Sequence, residues 1–194
     1  MPPPRTMKKV IRIAFLLFVV VPLVAWFIVK PVRVLAPTFI GMHCASKYVC
    51  VDAPEMLPEA TELYNQSLAF VGHSVGPIRG QPLVVFCSTQ DCADKFGLGG
   101  RSAVTVGTIG TVIGPNAWKA YYVRHELIHH LQGQQFGVLR RILMPSWLIE
   151  GMAYSLSEDS RARLAEPWQQ YREQFNQWLA TIDRENMWKA ANSL

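Results

Sequence analysis

Residues 125–129 read His-Glu-Leu-Ile-His, and no other stretch constrains the fold of this chain as tightly. Two histidines four residues apart share a ligand only on an α-helix, where positions i and i+4 lie on one face. The flanks agree, with Tyr122 and Val123 before and Leu127 and Leu131 within. The pattern predicts a buried helix over 117–135. On that helix both imidazoles can reach one Zn2+. Glu126 can then reach a water on the metal, whose pKa zinc lowers to about 7, and take its proton as general base. The competing reading is two ordinary histidines on a helix.

A catalytic zinc takes a third protein ligand and leaves its fourth position to water. A further histidine six residues after His129 is excluded, because Gln132 and Gln135 stand where a His-x-x-Gly-x-x-His continuation needs Gly and His. The acidic candidates are Glu150, 21 residues after His129, and Glu158 and Asp159 further on. Glu150 lies within a second expected helix over 147–157, with Ser146 as its cap. Glu158 and Asp159 fall past that helix's end. His130 faces away from the shared metal, and His43 and His73 are isolated.

With these residues in view, HELIHH followed by PSWLIEGMAYSLS resembles the gluzincin metallopeptidases. It is most similar to the short peptidase MA-like domains, whose second helix reads W-x-x-E-G-x-A. The resemblance is specific over residues 121–157 and looser over the strands before them. It implies His125, His129 and Glu150 as zinc ligands and Glu126 as catalytic base. It also implies a zincin-like α+β fold: a small mixed sheet, an active-site helix and C-terminal helices. Some gluzincins carry an acidic residue four places after the ligand Glu; here that place is Tyr154. Tyr154, one turn from Glu150, packs against the first helix or donates to a ligand or an oxyanion.

The rest of the body supplies the scaffold. Leu57, Ala60, Leu63, Tyr64, Leu68 and Val71 have helical spacing over 57–71. LVVFC (83–87) reads as a buried strand. Ser88 or Thr89 caps a short helix through Phe96. SAVTVGTIGTVI (102–113) suits strands bent at Gly107 and Gly110, the one ending near Ile113 being the edge that aligns a peptide. Leu164, Trp168, Tyr171, Phe175, Trp178 and Ile182 give a last helix, with Pro167 at its first turn. Between the site helices, GVLRRILMP sets Val138, Leu139, Ile142, Leu143 and Met144 around Arg140 and Arg141. These fold back on the core; the sharper alternative is insertion into an anionic membrane interface.

The N-terminus reads differently. Residues 13–29 are 17 uncharged residues, extended to about 20 if Arg12 snorkels, which is about one bilayer. Arg5, Lys8, Lys9 and Arg12 precede them. This predicts an uncleaved transmembrane signal anchor within residues 1–30, a cytoplasmic N-terminus, a linker over 31–54 and an exported domain over 55–194. That places the chain, single-pass, in the cytoplasmic (inner) membrane with its domain outside. The net charge of +5 comes from this tail, since residues 31–194 balance 14 basic against 14 acidic residues. A basic excess confined to a tail excludes a nucleic-acid-binding face. Cys44, Cys50, Cys87 and Cys92 form two close pairs. In an oxidising compartment two local disulfides are the simplest of three connectivities.

Together these features lead to an expectation: a membrane-anchored, extracytoplasmic zinc metallopeptidase acting on peptide or protein substrates, with the oligomeric state open. The alternative is a zincin scaffold that binds or assembles a partner without catalysis.

Overall fold

The structure, a computed structural model, describes residues 5–194. The first four residues of the expected cytoplasmic tail lie outside the described residues.

The expected N-terminal transmembrane helix is not supported. The N-terminal run is divided into helix α1 (Arg5–Phe15), a π-helical turn (Leu16–Val20) and helix α2 (Val21–Ile28). The basic residues fall in α1, and α2 has eight residues, against the ~20 that a span needs. No helix among the described residues is long and apolar enough to cross a membrane. The same finding does not fit the expected single-pass inner-membrane placement.

Residues 31–54, expected extended, form 3-10 turns and two strands. These are β1 (His43–Cys44) and β2 (Val49–Val51). Helix α3 (Leu57–Ser74) follows, then β3 (Leu83–Phe86). Thr89 caps α4 (Gln90–Lys95) by accepting the Cys92 N–H. β4 (Ala103–Val106) and β5 (Gly110–Ile113) form a hairpin. The helices α5 (Ala120–Phe136), α6 (Val138–Leu143), α7 (Ser146–Leu156), α8 (Trp168–Leu179) and α9 (Met187–Asn192) complete the order.

The five strands form one mixed sheet in the order β1-β2-β3-β5-β4. β2, β3 and β5 run parallel, and β1 and β4 are antiparallel to their neighbours. Both faces are buried, which explains the unbroken apolar runs in the strands. Successive side chains alternate between two cores. Val49, Val51, Val84, Phe86 and Ile113 join the helical side; Cys50, Val85, Cys87 and Val112 pack with Val34, Met42, Phe96 and Leu98 on the other. β4, not the strand ending at Ile113, is the edge: β5 is enclosed between β3 and β4.

Cys44 is disulfide-bonded to Cys50 and Cys87 to Cys92, and no described cysteine is free. The first bond ties facing residues of the β1–β2 pair, and the second ties the end of β3 to α4. Such bonds belong to an oxidising compartment.

Of the two site helices, α7 packs on both α5 and α8. At Gly151 a Cβ would collide with the Tyr171 carbonyl oxygen and lie 2.7 Å from Phe175 Cβ. The Gly after Glu150 is therefore a packing requirement that sets how closely α7 lies on α8. α6 departs from expectation: Leu139, Ile142 and Leu143 are 81%, 70% and 85% exposed, and only Met144 of that segment packs on the core. A six-residue helix presents one face at a time, and α6 turns Arg141 rather than its leucines inward.

Candidate metal centre

α5 carries His125, Glu126 and His129 into the interior, buried between the β4 edge, α3 and α7. α7 brings Glu150 to meet them. One donor atom from each of His125, His129 and Glu150 lies within 4.8 Å of the others, so the three could hold a metal ion. The two imidazole Nε2 atoms are 3.0 Å apart. Glu150 Oε2 lies 3.7 Å from His125 Nε2 and 3.5 Å from His129 Nε2.

The electrostatics follow from this convergence. Burial alone would raise the Glu150 carboxyl, but hydrogen bonds and charge from His125 and His129 hold it well below the usual carboxylate range. Burial resists an imidazolium at His129, yet the Glu150 carboxylate outweighs it and raises that ring's pKa. The three groups thus compete for a positive charge at one point, whether a proton or a metal ion.

Two residues that the sequence reading passed over hold this arrangement. The first is Gln132, fully buried. Its amide nitrogen donates to the Ile149 carbonyl over 2.8 Å, so its oxygen faces His129 and accepts from Nδ1 at 2.8 Å. With Nδ1 carrying the hydrogen, Nε2 keeps its lone pair for the shared point. The second is Thr105 on β4. Its hydroxyl donates to Glu126 Oε2 over 2.6 Å and is itself 2.8 Å from the Thr111 hydroxyl. Thr111 is fully buried; when its hydroxyl donates to Thr105, the Thr105 hydrogen is left for Glu126. The signal for Gln132 was its place three residues after His129, on the same helical face. Thr105 had no signal beyond strand alternation.

The remaining acidic candidates are engaged elsewhere. Glu158 pairs with Arg124 at 2.6 Å. Asp159 accepts from the Arg161 backbone N–H and Nε at 3.0 and 2.9 Å. The His130 Nε2 is 3.0 Å from the Gln134 amide, away from the three donors. Tyr154 packs on α5, its ring 4.4 Å from that of His125, and also lines the cleft beside the donors. Burial, then the Glu150 charge, pushes its phenol up to about 12. Its O–H is therefore a neutral donor through the physiological range.

The donors sit at the floor of a cleft of about 560 Å³. One wall is β4 through Ala103, Val104 and Thr105; the other includes Arg141, Arg161 and Trp168. No family model matches the chain, and neither a curated protein nor a solved structure matches it.

Proposed function

We propose that the chain is a zinc-dependent peptidase of the gluzincin type, with His125, His129 and Glu150 as ligands and Glu126 as general base. The observation that carries this reading is the convergence of three donor atoms beside a buried carboxylate. Four-coordinate zinc with bonds of 2.0–2.1 Å sets its ligand atoms about 3.4 Å apart. The separations of 3.0, 3.5 and 3.7 Å bracket that value. Bound there, zinc supplies Lewis acidity for hydrolysis of an acyl bond.

The chain's own groups divide the remaining work. Glu126 takes a proton from the attacking water and passes it to the leaving amine. Thr105 fixes one Glu126 oxygen, and Glu126 lines the cleft. Tyr154 offers its O–H to the charge that develops on the scissile carbonyl oxygen. β4 is the edge strand of the sheet and lines the cleft through Ala103, Val104 and Thr105, a placement that suits an extended peptide added as a further strand. A scaffold that only bound partners would have no use for a buried base held beside the donors by a hydroxyl.

The test is metal analysis of the full chain beside hydrolysis of an unstructured protein. About one zinc per chain is expected, lost in His125→Ala, His129→Ala and Glu150→Ala but kept in Glu126→Gln. Hydrolysis should fall about a hundredfold or more in Glu126→Gln. Full zinc retention by Glu150→Ala would overturn the ligand set. Equal hydrolysis by Glu126→Gln and wild type would overturn catalysis and favour the binding scaffold.

A further inference from the structure

Three guanidinium groups line the cleft, and two of them are engaged. Arg161 is held by Asp159 and lies over the rings of Tyr121 and Tyr122. Arg101 donates to the carbonyls of Leu98 and Gly97 at 3.2 and 2.8 Å. Arg141 is different. It is half-buried on the cleft side of α6, and its Nε is shielded from solvent without a hydrogen-bond partner. No carboxylate pairs with it among the described residues. A buried donor left unmade costs about 1–3 kcal/mol, and more when charged.

The nearest negative charges are already committed. Burial disfavours the Arg141 cation, and Glu150 and Glu126 are the carboxylates that favour it. Glu150 belongs to the donor set and Glu126 to the Thr105 hydroxyl. With a divalent ion at the three donors, those two carboxylates balance the metal and leave the Arg141 charge uncompensated. A guanidinium also offers two parallel N–H donors that match a carboxylate.

We infer that Arg141 is a specificity-determining residue that binds a carboxylate of the substrate beside the metal centre, so that the cleft selects acidic peptides or free peptide C-termini. The inference rests on the peptidase reading for what happens next to that carboxylate, but the anion site itself does not depend on hydrolysis. The exposed Leu139, Ile142 and Leu143 on the outer side of α6 leave Arg141 as that helix's contribution to the cleft wall.

The experiment measures binding of short peptides to full-length, zinc-loaded Glu126→Gln by calorimetry, with cleavage by the wild type followed in parallel. Three probes share one sequence: an amide-capped peptide containing Glu, its amide-capped Gln counterpart, and the Gln peptide with a free C-terminus. One carboxylate peptide should bind about tenfold or more tightly than the capped Gln peptide. Which one does so identifies the source of the carboxylate. In the Glu126→Gln background, Arg141→Met should erase the preference and Arg141→Lys should retain part of it, with circular dichroism unchanged in both. Equal affinity for all three probes overturns the inference, as does a preference that survives Arg141→Met. Carboxylate preference without cleavage by the wild type leaves the anion site standing and overturns the peptidase reading. Cleavage without preference does the reverse.

Discussion

Gln132 and His129 lie one helical turn apart on α5, and the amide oxygen of Gln132 accepts the His129 Nδ1–H over 2.8 Å. The other end of the same amide donates to the carbonyl of Ile149, the residue before Glu150. One side chain therefore fixes the tautomer of one candidate ligand and anchors the helix that delivers another. Coupling of this kind keeps donors on two separate helices in register.

Gln132→Leu should weaken zinc binding about 10–100-fold. It should also lower stability by about 1–3 kcal/mol, because the Ile149 carbonyl loses its partner in a dry site. Competition against a chelator, at a temperature where the variant is folded by circular dichroism, separates the two effects. Unchanged zinc affinity in the folded variant would remove Gln132 from the metal centre.

Thr105→Val removes the hydroxyl that holds Glu126 while nearly preserving shape. A hydrogen bond to a charged group is worth about 1.5–3 kcal/mol, which corresponds to roughly a 10–100-fold loss of kcat. Zinc content should not change, and Thr105→Ser should restore most of the rate. A loss of metal in Thr105→Val would mean that the hydroxyl supports the ligands rather than the base.

The sequence made α5 and α7 legible because each states its period twice, once in apolar residues and once in chemistry: His125 with His129, and Trp147 with Glu150 and Gly151. The cysteine pairs were legible because their spacing is short. β2 was not, since Val49–Cys50–Val51 is three residues long and flanked by a segment rich in proline. The strand order was not legible either. A hairpin pattern over 102–113 does not say which strand faces outward, and register against β3 decides it. The N-terminal run misled because composition reports apolarity but not where an α-helix gives way to a π-helical turn. Arg141 sat in a segment whose apolar residues suggested burial, whereas α6 buries part of its arginine and exposes its leucines.

Gly151→Ala should destabilise the protein by about 1–3 kcal/mol or more, because the new methyl meets backbone of α8 rather than a flexible side chain. Gly72 supplies the control. It lies in α3 with nothing within 4 Å of a built Cβ, so Gly72→Ala should stabilise by about 0.5–1 kcal/mol. Thermal melts of the two variants should move in opposite directions. A neutral Gly151→Ala would mean that α8 shifts readily, and that the spacing of α7 on α8 does not determine where Glu150 sits.

Asp159 links acid sensitivity to the wall of the cleft. Its side chain is 2% exposed beside Arg161. Burial alone would raise its carboxyl, but hydrogen bonds from the Arg161 side chain and backbone hold it below its ordinary value of 3.8. A carboxylate whose folded-state pKa is depressed contributes stability that is fully present above its unfolded-state value. That contribution is lost as pH falls through the folded-state value. The stability gap between wild type and Asp159→Asn should therefore be constant from neutral pH down to about pH 5 and shrink below about pH 4. Asp159→Asn should also loosen Arg161 from the rings of Tyr121 and Tyr122, since the ion pair holds the guanidinium over them. Urea titrations of both proteins at a series of pH values provide the check. A gap that persists unchanged at pH 3 would show that Asp159 acts by packing and neutral hydrogen bonding, with its charge contributing nothing to the fold.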